Sequence, residues 1–170
     1  LRNFIWQTAS IFIQKETVVL DEIDKKLSHN SGAKSRVGMM TSSDKILEVL
    51  EFTIKYLDGC ISALKGGYEN AFSDNVWHVA AQLEYALFML SLNLGNGHTA
   101  SSVKLNPEPK GLPIDQTMLK VKELVNAAQS FLEAGDLVNA YRNAYLARHY
   151  IFKVQESLVK KKHKAVKREK

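Results

Sequence analysis

Two stretches of this chain repeat one another. Ala63-Leu64-Lys65-Gly66-Gly67-Tyr68-Glu69-Asn70-Ala71-Phe72 is echoed by Phe131-Leu132-Glu133-Ala134-Gly135-Asp136-Leu137-Val138-Asn139-Ala140-Tyr141, with one extra residue in the second copy. In each, a helical pattern runs up to a glycine, a short turn follows, and Asn-Ala-aromatic opens a long apolar-periodic stretch. Glycine tolerates the left-handed backbone that ends helices, and a helical period continues on both sides. Each copy therefore predicts a helix–turn–helix hairpin. Two hairpins are too few for a solenoid, which needs about three repeats to bury a continuous core. A bundle is the expected outcome.

The periodicity predicts five helical segments. The first runs from about Phe4 to Leu27, with Ile5, Trp6, Ala9, Phe12, Ile13, Leu20, Ile23 and Leu27 apolar; Ser28 to Ser43 is a polar loop. The second starts near Ser43-Asp44, where a short oxygen side chain can cap a first turn. It carries Ile46, Leu47, Leu50, Ile54, Leu57, Ile61 and Leu64 on one stripe and stops at Gly66-Gly67. Gly59 inside it costs about 1 kcal/mol relative to Ala, which points to a close helix–helix approach there.

The third segment, Glu69 to Leu94, has Phe72, Val76, Val79, Leu83, Ala86, Leu87 and Leu90 on one face and Trp77, Ala81 and Phe88 on another. A helix apolar on several sides is expected to be central. Gly95-Asn96-Gly97 ends it, and a loop with Pro107 and Pro109 leads to Leu112. Pro113 suits the first turn of the fourth segment, which ends at Glu133. Asp136 is the expected N-cap of the fifth, which carries Ala140, Tyr141, Ala144, Ala147, Ile151, Val154 and Leu158 and is expected to extend past Lys160 and fray. No segment alternates with the period of a strand. The expected fold is all-α: a five-helix bundle of two antiparallel hairpins, with the N-terminal helix covering their seam, as a single domain over residues 1–159 followed by a basic tail, 160–170.

The tail holds most of the charge. The net charge is +5, yet Lys160 to Lys170 alone carry seven Lys/Arg and one Glu, leaving 16 basic and 17 acidic groups elsewhere. Lys160, Lys161, Lys162, Lys164, Lys167 and Arg168 are therefore the candidate nucleic-acid-binding residues, since cations that neutralise phosphates release counterions. No aromatic interleaves them, so base stacking is not expected. A solvated, solubilising end is the bland alternative.

The single cysteine, Cys60, cannot form an internal disulfide, which fits a reducing, cytoplasmic location best, with a disulfide-free secreted protein as the alternative. Phe4 to Ile13 is broken by Gln7, Thr8 and Ser10. It is too short for a bilayer, which takes about 20 apolar residues, and it lacks the features of a signal peptide. No transmembrane segment is expected.

The chemistry-bearing candidate is Arg142-Asn143-Ala144-Tyr145-Leu146-Ala147-Arg148-His149-Tyr150. Arg142 and His149 lie about two turns apart on one side of the fifth segment, with Tyr145 between them and Phe152 and Glu156 beyond. An Arg that binds phosphate and a His that exchanges protons near neutrality are suitable groups for cleaving RNA.

The Gly-Asp or Gly-Tyr turn, the Asn-Ala, and a long final helix with Arg, a polar residue and a downstream His resemble the HEPN family of small helical bundles. Short archaeal helical-hairpin families are similar too. The likeness spans roughly residues 56 to 155. It implies that Arg142 and His149, supported by Asn143, could form a metal-independent ribonuclease site completed across a dimer, at the long end of the family's Arg-to-His spacing. The first hairpin offers Ser73-Asp74-Asn75 instead of a basic residue, so only one hairpin could carry the site.

Two further residues stand out. Glu84 lies among Trp77, Ala81 and Phe88, where an ionised carboxylate needs a partner; a Lys or Arg of a neighbouring helix, or a place at the bundle surface, is expected before a general-base role. His78 reads as a hydrogen-bonded packing residue. The chain has no Walker loop, Gly-x-Gly-x-x-Gly fingerprint, Cys-x-x-Cys pair or Glu-x-x-His motif. His29, His78, His98, His149 and His163 are scattered, without metal-ligand spacing. No metal or cofactor is expected.

The leading expectation is a non-enzymatic binding or assembly module of HEPN-like type, with RNA or another polyanion on the tail and a second copy of the chain as the candidate partners. The alternatives are the ribonuclease and a protein–protein adaptor whose apolar first helix docks a partner.

Overall fold

The computed structural model describes residues 41–94 and 112–168, the last seven of these as helical backbone only. They belong to one compact unit, Met40–Lys170. Four helices occur among them, and no strand: α1 Ser42–Gly66, α2 Glu69–Leu94, α3 Ile114–Glu133 and α4 Leu137–Arg168. The count of five is thus four among the described residues. The expected N-terminal helix, its role over the seam, and the Gly95-Asn96-Gly97 stop lie outside them.

The helix starts depend on local chemistry. Thr41, not Ser43 or Asp44, is the N-cap of α1: its hydroxyl accepts from the Asp44 N–H at 3.2 Å, while the Asp44 carboxylate accepts from the Thr41 N–H at 2.9 Å. This reciprocal capping box satisfies two first-turn donors at once. Pro113 sits just before α3, and its carbonyl accepts from the Thr117 N–H at 2.9 Å. Asp136 caps α4 as expected, accepting from the Asn139 N–H at 3.0 Å.

Both hairpin turns have the same backbone hydrogen bonds. Gly67 has φ +70° and Gly135 has φ +77°. The Tyr68 N–H donates to Ala63 O at 2.9 Å, and the Asp136 N–H donates to Phe131 O at 2.8 Å. These are the bonds of a glycine-terminated helix whose last carbonyls are satisfied by the turn. The two motifs are 68 residues apart, and so are the core positions. Leu50, Thr53, Leu57 and Cys60 of α1 correspond to Met118, Val121, Val125 and Ala128 of α3. Phe72, Val76, Val79 and Leu83 of α2 correspond to Ala140, Ala144, Ala147 and Ile151 of α4. The repeat therefore has no inserted residue. The Asn-Ala-aromatic echo is one position out of step, because burial aligns Phe72 with Ala140 rather than with Tyr141.

In space α1 packs on α2 and α3, and α4 packs on α3 and α2. The pairing of Glu69 with Lys161 and of Glu84 with Arg148 shows that α2 and α4 run antiparallel. The short turns do the same within each hairpin, so neighbouring helices in this four-cornered bundle alternate in direction. The end of α2 and the start of α3 consequently lie at opposite ends. The stripe Phe72, Val76, Val79, Leu83, Ala86, Leu87 and Leu90 is buried as the periodicity predicts. α2 is not enclosed, however: Phe88 and Leu92 are 58% and 66% exposed. At Gly59 a Cβ would stand 3.0 Å from the Asn75 side chain of α2, the close approach expected there.

Candidate nucleic-acid interface

α4 carries Arg142, Asn143 and His149 and the basic residues Lys160 to Arg168. Its small buried residues Ala140, Ala144 and Ala147 let it lie close against α2 and α3, and Ile151 and Val154 continue that stripe. Short side chains on the inner face leave the long ones to the flanks and the outside.

The α2-facing flank is an aromatic and ionic cluster. Glu84 and the Arg148 guanidinium form an ion pair, their side chains 22% and 26% exposed. The Arg148 guanidinium also sits over the Phe152 ring, 5.3 Å from its centroid, where the ring's negative face attracts it. Tyr141 and Tyr145 stack with centroids 6.3 Å apart. Burial, with Tyr145 and Glu84 close by, pushes the Tyr141 phenol above its ordinary value. The expected cationic partner of Glu84 is therefore Arg148, and the pair explains why a carboxylate is tolerated at that position.

Arg142 is exposed on the outward side of α4, whereas His149 is half-buried. About 10 Å of helix axis separates two residues seven apart, so one chain does not bring the two groups together on a single phosphate by backbone placement alone. The Asn143 amide donates to Asn139 O at 2.8 Å, which uses one of its N–H groups within the helix itself.

The basic segment is a continuation of the helix. α4 runs unbroken through Val159 to Arg168. Lys160 and Lys161 are exposed, and Lys162, Lys164, Lys167 and Arg168 follow in helical backbone. Lys161 Nζ lies 2.7 Å from Glu69 Oε1 at the first turn of α2. That bond and charge hold the Glu69 carboxyl below the usual carboxylate range. The two partners are 92 residues apart in sequence and meet only where the helices pack.

The remaining candidates are structural. The His78 ring stacks on Tyr56 of α1, centroids 4.5 Å apart. Cys60 is buried, and burial pushes its thiol up to about 12, far from reactive thiolate chemistry at neutral pH. Among the described residues no three His, Cys, Asp or Glu side chains form a group able to hold a metal ion, and no helix is long and apolar enough to cross a membrane.

No protein-family model, curated protein or solved structure matches the chain.

Proposed function

We propose that the protein is a cytoplasmic, non-enzymatic binding or assembly module of HEPN-like helical type, whose basic C-terminal segment contacts RNA or a similar polyanion. The observation that carries this reading is the charge distribution. The last eleven residues hold a net +6, while the rest of the chain is near neutral at −1. The helix that bears these cations is anchored in the core by Ile151 and Val154 and continues beyond it. A continuous helix holds its cations at fixed spacing, and neutralised phosphates then release their counterions.

The test is fluorescence anisotropy of labelled RNA with the full chain and with Lys160→Gln/Lys164→Gln/Lys167→Gln, across a salt series. If about five cations engage single-stranded RNA, the logarithm of affinity falls against the logarithm of salt with a slope near −3.5. The triple variant should bind more weakly and with a shallower slope. Equal binding by both proteins would overturn the tail's role. RNA cut by the wild-type chain in the presence of EDTA, and left intact by Arg142→Ala and His149→Ala, would establish the ribonuclease instead. Absence of any RNA binding would favour the adaptor.

A further inference from the structure

The continuity of α4 joins two groups of residues that the sequence presents separately. At 100° per residue, Arg142, Lys153, Lys160, Lys164 and Lys167 fall within about 60° of one another around the helix axis. Arg142, Lys153 and Lys160 are exposed, and Lys164 and Lys167 occupy the same register in the helical backbone that follows. Arg142 and Lys153 belong to the near-neutral body by sequence, and the other three to the tail. On the helix they form one line about 37 Å long. His149 shares this side. One acidic residue interrupts it: Glu156, whose carboxylate lies 3.5 Å from Lys153 Nζ.

The aromatic residues of α4 are not on this line. Tyr141 and Tyr145 stack on each other beside Glu84, and Phe152 lies under Arg148, on the flank toward α2, while the half-buried Tyr150 lies on the opposite flank, near Lys120 of α3. The line thus offers cations and few base-stacking surfaces. Binding single strands generally combines a cationic track with stacked aromatics. A straight rod of cations without them suits a ligand that presents its phosphates outward on a stiff frame. A membrane surface fits less well, because an interfacial helix needs a large apolar face beside its basic one, and residues 160–170 supply only Ala165 and Val166.

We infer that the outward side of α4 is one continuous ridge, from Arg142 through Lys153 and Lys160 to Lys167, that binds the phosphate backbone of a nucleic-acid duplex without reading its sequence. This rests on the polyanion-binding reading above and extends it, from the tail to the folded body and from a polyanion in general to a duplex.

The experiment uses the full chain and three labelled probes: a 20-base-pair RNA duplex, a DNA duplex of the same sequence, and the single-stranded RNA. The variants are Arg142→Gln/Lys153→Gln in the body, Lys160→Gln/Lys164→Gln/Lys167→Gln beyond it, and Lys45→Gln/Lys65→Gln on α1, which removes two charges elsewhere. Circular dichroism checks that each remains helical. The ridge predicts tighter binding of duplex than of single strand. It also predicts that Arg142→Gln/Lys153→Gln weakens duplex binding about tenfold at low salt and flattens the duplex salt slope by about 1.8, as two lost phosphate contacts require. The α1 control should change little. If Arg142→Gln/Lys153→Gln matches that control while the triple variant abolishes binding, the ridge is wrong and the tail acts alone. If single-stranded RNA binds more tightly than either duplex, the duplex assignment is wrong. If the wild-type chain binds none of the probes, the polyanion-binding reading falls as well.

Discussion

Lys161 of α4 and Glu69 of α2 are joined by an ion pair of 2.7 Å, so the start of the basic segment is tied to the first turn of another helix. Both side chains are largely exposed, 70% and 77%. The pair therefore bears more on electrostatics than on stability. Glu69 neutralises Lys161, and if the segment binds a polyanion as proposed, its carboxylate is a negative charge beside the cations that would engage it. Glu69→Gln should raise nucleic-acid affinity roughly two- to threefold at low salt, in line with the modest coupling of exposed pairs. The gain should fade as salt screens it. Anisotropy titrations at two ionic strengths read this directly.

The Glu84–Arg148 pair is better shielded. Removing one partner leaves the other's charge at a partly buried seam. Glu84→Gln and Arg148→Met should each lower stability by about 1–3 kcal/mol, the range for hydrogen bonds to charged groups. The double variant should lose less than the sum, with a coupling of roughly 1–2 kcal/mol. Urea unfolding of the four proteins completes the cycle. Strict additivity would mean that the pair is not formed in solution.

Gly67 and Gly135 are the two positive-φ residues among the described ones, and a Cβ at either would meet nothing within 4 Å. The cost of a side chain there is backbone strain alone. Gly67→Ala and Gly135→Ala should each destabilise by about 1 kcal/mol. Because the two turns share one geometry, the two costs should be similar. Thermal unfolding tests both. A much larger loss at one site would show that the turns are not equivalent.

Asp136 gives a pH signature. Its carboxylate accepts from the Asn139 N–H at 3.0 Å and from Asn139 Nδ2 at 2.7 Å. These bonds hold its pKa below the ordinary value of 3.8. A depressed pKa contributes stability above the unfolded-state value, and that contribution is lost as pH falls through the folded value. Asp136→Ala should therefore lower the melting temperature at pH 7. The gap between wild type and variant should narrow below pH 3.8 as the folded carboxyl protonates. A gap independent of pH would show that the charged carboxylate is not what caps α4.

The buried stripe of α2, the glycine stops at Gly67 and Gly135, and the Asp136 cap follow from residues close together in sequence. They depend on helical period, backbone permissiveness and first-turn hydrogen bonds, all of which act over a few residues. Thr41 lay within the same range: the Thr41–Asp44 spacing signals a capping box, but the Ser-rich stretch offers competing caps. The sequence also marked Glu84 as a carboxylate that pairs with a Lys or Arg or sits at the bundle surface. Other relationships required the folded chain. Arg148 answers Glu84, and Lys161 answers Glu69, only because α2 and α4 pack antiparallel in one register. The offset of 68 between hairpins follows from which side chains the common core buries, and burial overrode the more visible Asn-Ala-aromatic echo. The alignment of Arg142 with Lys160 and Lys167 likewise depends on α4 continuing unbroken past Val159. Composition marked the tail off at Lys160, and the helix, expected to extend past that point, runs to Arg168. Local sequence sets which segments coil and where they stop; the partners of their polar groups are decided when the helices pack against one another.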